Sequence, residues 1–270
     1  MTRALTLALL VAGAFVMLVP FLWMLALSLK APDEIFTPTL DLIPNRLYWA
    51  NYIAAFTRGN LLGALWNGAV VCAAILVLQT LFAAPCAFAL AQRRFAGRGL
   101  VFGLVLAGLL VPFHVTAIPI FLGLAQLRLL DTYTALIAPF AASVFGIFLF
   151  RQAFAAMPAE LFEAARVDGL SEGAIVWRIA FPLALPAATA FALFSVVAHW
   201  NDLFWPLIAT SDPALATPPR GILYFRDAES GTEVGALMAA AVVVVAPMVA
   251  LFLVAQRRFV QGLAAGGLKG

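Results

Sequence analysis

Charged side chains are scarce in this sequence, where they make up 11% of the 270 residues while hydrophobic residues make up 64%. A soluble domain of ordinary composition is about one-quarter charged. Lysine is almost absent: the chain has Lys30 and Lys269, and each follows a leucine. A nucleotide-binding P-loop needs Gly-Lys followed by Ser or Thr, because the lysine and the backbone N–H groups hold the phosphates. The sequence therefore excludes ATP hydrolysis by that route.

Histidine and cysteine are equally rare, with two of each. His114 and His199 lie far apart in the sequence, and they form no metal-ligand cluster with Cys, Asp or Glu. Cys72 and Cys86 lie about 21 Å apart on one predicted helix, so they cannot bond to each other. The sequence has no nucleophile–base pair, no GxSxG and no glycine-rich dinucleotide loop. We therefore expect no catalytic residue, no metal site and no cofactor in this chain.

Long apolar runs are what the sequence has instead, and its mean hydropathy is +1.03. A helix of about 20 apolar residues spans the hydrocarbon of a bilayer. The runs without Asp, Glu, Lys or Arg are residues 5–29, 61–91, 100–127, 132–150, 179–201 and 235–255. The first run follows Arg3, as in a signal peptide, but it is too long for a typical signal and predicts an uncleaved span. We expect an all-α membrane protein, with one transmembrane domain of six spans over residues 1–270.

The basic residues predict how these spans are oriented. If the N-terminus is inside, ten of the 16 Lys and Arg residues fall on the inner side and six on the outer side. The stretch QRRFAGRG after the second run is the strongest local indicator. The positive-inside rule then places both termini in the cytoplasm. The net charge of +3 reflects this topology, so we expect membrane lipid and not nucleic acid as the surroundings of the chain.

The predicted spans contain no carboxylate and no Lys or Arg. Ion-coupled carriers usually place such groups near the middle of the membrane, because ion relay needs them. This absence makes an ion-coupled secondary carrier a weaker hypothesis without excluding it. A scaffold without a transport role is a further alternative. If the protein moves a solute, we expect the energy to come from a partner.

The segment between the fourth and fifth spans, residues 151–178, is more polar than its surroundings. Pro158 suits a first helical position, and the acidic residues that follow favour the start of a helix. Leu161, Ala164 and Ala165 are expected to share one apolar face, and Gly169 to end the helix in a left-handed conformation. From the residues alone, this helix is either a solvated connector or a docking helix for a cytosolic partner.

The stretch EAARVDG, residues 163–169, resembles the EAA loop of ABC importer permeases, with Ile179 and Pro182 at the matching places downstream. FRQAFAAMPAEL before it, and HWNDLFWPL and QRRFVQGLAAGGLKG after it, resemble the carbohydrate-uptake branch of that family, in its MalG-type permeases. The resemblance covers residues 100–270. It departs at Leu170, where alanine is usual, and at Val176 and Phe181. Because these three residues are apolar, we expect a reshaped docking surface.

The resemblance implies a set of partners in a prokaryotic inner membrane. Two homologous permeases form one translocation path, and two cytosolic ATPase subunits, which hold ATP and Mg, each receive one EAA helix. An extracytoplasmic binding protein delivers the solute. By resemblance, the segment 151–178 is a coupling loop, and the tail 256–270 extends towards the ATPase. The residues that the resemblance assigns to ATPase coupling are Glu163, Ala164, Ala165, Asp168, Gly169, Leu170 and Pro182.

The solute itself is a sugar or a related polyol in this branch, and glycerol 3-phosphate or a phosphodiester is the alternative cargo. A phosphate would favour basic residues along the path, and the spans have none. Sugars bind through hydroxyl hydrogen bonds and aromatic faces, although polar residues in spans more often bond neighbouring helices. The candidates for the substrate path are Asn67, Gln79, His114, Thr116, Ser143, Ser195, His199, Trp200 and Asn201.

Overall fold

The computed structural model describes residues 3–37, 41–227 and 231–267. Over these ranges the chain is almost entirely helical, with one antiparallel pair of two-residue strands, Arg226–Asp227 (β1) and Gly231–Thr232 (β2). The expected all-α fold is therefore confirmed. In chain order the α-helices are Arg3–Ser28 (α1), Ala50–Thr57 (α2), Leu61–Gln92 (α3), Arg98–Leu109 (α4), Phe113–Gln126 (α5), Tyr133–Ile137 (α6), Val144–Ala155 (α7), Ala159–Val167 (α8), Glu172–Ile175 (α9), Phe181–Leu183 (α10), Leu185–Trp200 (α11), Phe204–Ala209 (α12), Pro218–Ile222 (α13) and Val234–Gly267 (α14).

Three of the described helices, α1, α3 and α14, are each long and apolar enough to cross a membrane. α3 covers the second predicted run, and α14 continues past the end of the sixth run to Gly267. The last three residues of the predicted tail, 268–270, lie outside the described residues. Three further spans arise only when each of three bent helix pairs is counted as one, which gives up to six spans in all.

The third, fourth and fifth predicted runs each correspond to a pair of helices with a bend between them. α4 and α5 meet at 97°, and α6 with the 3₁₀ turn after it meets α7 at 43°. Pro112 explains the first break, because it has no N–H to donate and lies in an extended conformation before α5. Ser143 marks the second break, where its hydroxyl accepts a hydrogen bond from the N–H of Gly146 and caps α7.

By Cα packing the chain divides into two compact units, Met1–Trp66 with Ala216–Met248 and Asn67–Leu215 with Val249–Gly270. The core of the first unit packs Leu61 and Phe225 against alanines of α14. In the same unit, Asn51 is 6% exposed and donates hydrogen bonds to the carbonyls of Ser28 and Lys30, at 3.0 and 2.9 Å.

The second unit has the larger aromatic core, in which α3, α7 and α11 meet. Phe150 and Phe191 are at most 1% exposed, and their ring centroids lie 5.3 Å apart. Gly146 lets these helices approach closely: a Cβ built there would lie 2.9 Å from the ring of Phe191 and 3.2 Å from the Cβ of Ala83. Such distances leave no room for a methyl group without a shift of the neighbouring helix.

Replacing Gly146 with alanine should therefore destabilise the protein by about 1–3 kcal/mol, the usual cost of overpacking a filled core. Thermal unfolding of the purified protein in a mild detergent measures this effect. Gly103→Ala is the matched control, since a Cβ at Gly103 has no neighbour within 4 Å. The control should melt at or slightly above the wild-type temperature, because alanine favours a helix over glycine. Equal melting of Gly146→Ala and wild type would contradict the packing.

Candidate functional site

The polar segment between α7 and α11 is built around α8, which ends as the sequence predicted. Gly169 has a φ of +83°, so the left-handed conformation at this position is confirmed. The N–H of Leu170 donates to the carbonyl of Ala165 and the N–H of Gly169 to that of Arg166, both at 3.0 Å. These two bonds form the Schellman arrangement that closes a helix. At the other end Pro158 is the cap residue, with ψ 134°, and not the first helical residue that was expected.

The three residues that were expected to share one apolar face of α8 are not in the same environment. Phe162 is 0% exposed and Ala165 is 5% exposed, whereas Leu161 is 39% exposed and Ala164 is also exposed. The alanine-based prediction was wrong because it left out Phe162, whose large ring determines which side of the helix packs. Ala165 therefore packs within its own chain, and Ala164 does not.

The opposite face of α8 has no covering within the described residues. Glu160, Ala164 and Val167 lie at helical spacing along its centre, and Val167 is 87% exposed. Glu163 and Asp168 flank this line and are exposed as well. We call these five residues the exposed face of α8. A narrow strip with a small alanine, one apolar side chain and acidic edges suits insertion into a groove with basic rims.

α8 is held against the Gln92 end of α3. The ring of Phe162 meets that of Phe88 edge to face, with centroids 5.1 Å apart and planes at 89°. Phe88 also contacts Phe154, the last aromatic residue of α7, at 5.8 Å. The Nε2 of Gln92 donates to the carbonyl of Phe154 at 2.6 Å and to that of Met157 at 3.4 Å. The chain is thus fixed immediately before α8 begins.

The carboxylate of Glu172 holds the chain that follows α8. The Oε1 of Glu172 accepts a hydrogen bond from the Nε of Arg166 at 2.9 Å, and it lies 2.5 Å from an Nη of Arg93. The bond from Arg166 is the main reason that the pKa of the Glu172 carboxyl lies below its ordinary value of 4.5, and Arg93 acts in the same direction. In the described structure, the Nη2 of Arg166 is buried without a hydrogen-bond partner. Arg166 therefore depends on Glu172 for compensation of its charge.

Beyond α9 the chain forms a π-helical turn, Val176–Ala180, and then bends by 84° between α10 and α11. Pro182 lies within α10, and the bend falls at Ala184, directly before α11. Pro182 is therefore near the kink but not at it. Leu170, which departs from the EAA pattern, is half-buried and packs against the aromatic core of the second unit.

The candidate residues of the substrate path do not form one cluster. Asn67 is 4% exposed; its Nδ2 donates to the carbonyl of Ala214 at 2.8 Å, and its Oδ1 accepts from the Tyr133 hydroxyl at 2.5 Å. His114 packs against Phe204 with centroids 4.4 Å apart. The Nδ2 of Asn201 donates to a carbonyl of its own helix. Asn67 and His114 thus contact residues of other elements, as polar residues of spans commonly do, and the Asn201 bond stays within α11.

A smaller set does come together, around a cavity of about 470 Å³. Its polar lining residues are Gln79, Ser143, Ser195 and His199. The Ser195 hydroxyl donates to Oε1 of Gln79 at 2.7 Å. The Nδ1 of His199 lies 2.7 Å from the carbonyl of Ser195, so this nitrogen carries the proton and Nε2 is the acceptor. Trp200 is 5% exposed and is not part of the lining.

Sequence reasoning missed two groups of residues that organise these sites. Phe88, Gln92 and Arg93 hold the polar segment, but they lie at the end of the second span and just after it, outside the EAA motif. Trp205 is 0% exposed, and its indole N–H donates to the carbonyl of Ala135 at 2.8 Å. Trp205 lies in the stretch HWNDLFWPL, which was already noted for its resemblance to the family, so the sequence did point to this region. Nothing in the sequence links Arg93 to Glu172. Among the described residues no group of three or more His, Cys, Asp or Glu has the geometry of a metal site.

The ion pairs of Glu172 predict a pH-dependent stability. A lowered pKa means that the stabilisation is present above the ordinary value of 4.5 and is lost as the pH falls through the lower folded-state pKa. Glu172→Gln should therefore melt below wild type at neutral pH, and the gap should close in acid. Thermal unfolding in detergent over a pH series measures this. Glu160→Gln, an exposed carboxyl of the same loop, should follow wild type throughout; a constant gap for Glu172→Gln would contradict the ion pairs.

Comparison with known proteins agrees with this arrangement. Residues 79–265 match the family described as binding-protein-dependent transport system inner membrane component. The chain is 34% identical over 260 residues to the arabinooligosaccharides transport system permease protein AraQ of Halalkalibacterium halodurans, covering 95% of this chain and 93% of that one. It is 32% identical over 263 residues to the sn-glycerol-3-phosphate transport system permease protein UgpE of Yersinia enterocolitica, covering 94% and 93%.

A solved structure shows the same fold. The crystal structure of a bacterial ABC transporter involved in the import of the acidic polysaccharide alginate contains a chain that superposes with a TM-score of 0.83. The match covers 96% of this chain and 99% of that chain, at 22% sequence identity. The family match and the two relatives extend over the EAA segment and the broken spans alike. The chain thus belongs to the binding-protein-dependent inner membrane components, as a MalG-type ABC importer permease of the carbohydrate-uptake branch.

Proposed function

We propose that this permease forms half of the translocation path of an importer for a neutral sugar or polyol, with a second homologous permease forming the other half. Two cytosolic ATPase subunits bind ATP and Mg and supply the energy, and an extracytoplasmic binding protein supplies the solute. Both termini lie in the cytoplasm, as the distribution of Lys and Arg favours. The family is defined by its dependence on a binding protein, which supports that partner.

The observation that carries this proposal is the exposed face of α8, opposite the buried ring of Phe162. A helix that is fixed on one side and bare on the other is suited to dock into a cleft. Ala164 permits close approach at the centre of the face, and Glu163 and Asp168 contact polar groups at the rims. Ala165 and Leu170 support the exposed face indirectly, because they pack in the core of the chain. Gly169 sets the angle between α8 and the chain that follows it.

The cavity chemistry favours a neutral cargo. No Lys or Arg lines the cavity, so a phosphate there would lack a cation. The wall of the cavity is mainly apolar and includes the rings of Phe145 and Phe194, which suit the apolar face of a sugar ring, while the buried Ser195 and Gln79 side chains hydrogen-bond to each other. The relative AraQ is named for arabinooligosaccharides. Glycerol 3-phosphate is the second candidate, because UgpE is named for it and is 32% identical.

Copurification from the native membrane tests the docking role. The tagged wild type should bring down an ATPase with a Walker A motif and a second permease. Glu163→Lys should reduce the ATPase yield by roughly tenfold, which corresponds to the loss of one charged hydrogen bond at an interface. Asp33→Lys is the matched control, because it makes the same charge change on the predicted outer side. Equal loss in both variants, or a wild type that purifies alone, would contradict the docking.

Transport by the copurified assembly tests the cargo. Vesicles with ATP inside and the binding protein outside should accumulate labelled arabinotriose or another neutral oligosaccharide from a panel, and should exclude glycerol 3-phosphate. The uptake should need ATP and ignore proton and sodium gradients. Uptake of glycerol 3-phosphate in preference to the sugars would replace the neutral cargo with the second candidate. Uptake driven by an ion gradient without ATP would reject ATP-driven import.

A further inference from the structure

We propose that the Gln92 end of α3 is the seat of the coupling loop, and that Arg93 and Glu172 are positioning residues that make α3 move with α8. The seat consists of Phe88, Gln92 and Arg93. It lies outside the EAA motif and about 70 residues before it in the chain. This inference rests on the proposed docking of α8 to an ATPase and concerns where the resulting movement goes.

The three contacts of the seat cover the whole coupling loop. Phe88 holds the middle of α8 through the ring of Phe162, at 5.1 Å. Gln92 holds the turn before α8 through two backbone carbonyls. Arg93 holds the turn after α8 through Glu172. Because Phe88 and Gln92 are four residues apart on one helix, they face the same side, and Arg93 follows at the end of that helix.

The contacts of the seat differ in how deeply they are buried. Phe88 is 2% exposed and Phe162 is 0% exposed, so their contact is buried and cannot rearrange without repacking the core. The side chains of Arg93 and Glu172 are 45% and 43% exposed, so their ion pair is partly screened by water. The ring contact therefore supplies stability. The ion pair fixes the orientation of the last turn, where α8 leads into α9.

The connection towards α11 includes a joint in the backbone. From α9 the chain passes through the π-helical turn Val176–Ala180 and the 84° bend before it reaches α11. π-helical turns lack the regular i to i−4 bonding and often occur at functional sites. A push on α8 therefore reaches α3 through side-chain contacts, whereas it reaches α11 both through the shared core and through this jointed backbone. Rigid elements carry a displacement, and a joint absorbs part of it.

The residue Cys86 offers a native reporter of movement in α3. It is a free thiol of α3, half-buried, and lies seven positions before Arg93, which follows the end of that helix. Cys72, also on α3, is 5% exposed and serves as an internal reference. The modification rate of each thiol by N-ethylmaleimide can be followed separately by mass spectrometry of the peptides.

The test uses the assembled importer in lipid nanodiscs, with and without trapping by ATP and orthovanadate. In the wild type, trapping should change the modification rate of Cys86. In Arg93→Gln this change should shrink by at least about twofold, the lower end of what disrupted coupling produces. Arg93→Lys, which keeps the charge, should restore most of the change. Arg94→Gln is the matched control, because Arg94 is exposed at the next position and should leave the response at its wild-type value.

ATPase yield and ATP hydrolysis separate this inference from the proposed function. Arg93→Gln should copurify with the ATPase as the wild type does, because Arg93 is not on the exposed face of α8. If the wild type has no ATPase partner, the proposed function is wrong. If the ATPase is present and active but Cys86 does not respond to trapping, or responds equally in Arg93→Gln, the seat is wrong and the proposed function stands. Loss of the response in Arg94→Gln as well would also reject the specific role of Arg93.

Discussion

The edge-to-face contact between Phe162 and Phe88 is the interaction on which the functional half of this permease depends. α8 has nine residues, and an isolated helix of that length is marginal in water. Burial of one ring determines that the segment is a helix, which side faces inward and which side remains bare. The acidic residues and Ala164 have their positions on the exposed face of α8 because Phe162 occupies the opposite side.

The sequence was a sufficient guide where a local rule decides the structure. The end of α8 at Gly169 could be predicted, because a glycine after an alanine-rich stretch favours a left-handed close. The buried face could not be predicted by counting alanines, because it depends on a ring from α3 that is remote in the chain. The breaks at Pro112 and Ala184 were missed for a different reason. Apolar runs predict that a segment lies in the membrane, but they do not indicate whether its helix is continuous.

The polar residues of the spans also divide into those whose placement follows from helical spacing and those whose placement depends on remote contacts. Asn67, His114 and Asn201 were chosen by residue type; the structure places Asn67 and His114 in contacts with residues of other elements and Asn201 in a bond to its own helix. Ser195 and His199 lie four positions apart on α11, so their shared face followed from helical spacing. Their meeting with Gln79 of α3 is a tertiary contact that no local pattern contains. The polar lining of this cavity could thus be predicted within one helix, but not between helices.

The break between α4 and α5 also restricts which surfaces can touch the acyl chains. If this pair crosses the membrane as one broken span, the bend at residues 110–112 falls midway through that span. Leu110 is 83% exposed there, and the carbonyls at the end of α4 are not continued into a helix. Hydrocarbon offers no hydrogen bonds to such carbonyls, so non-helical backbone at this depth must face protein or water. The bend therefore marks a sector of the surface from which lipid is excluded.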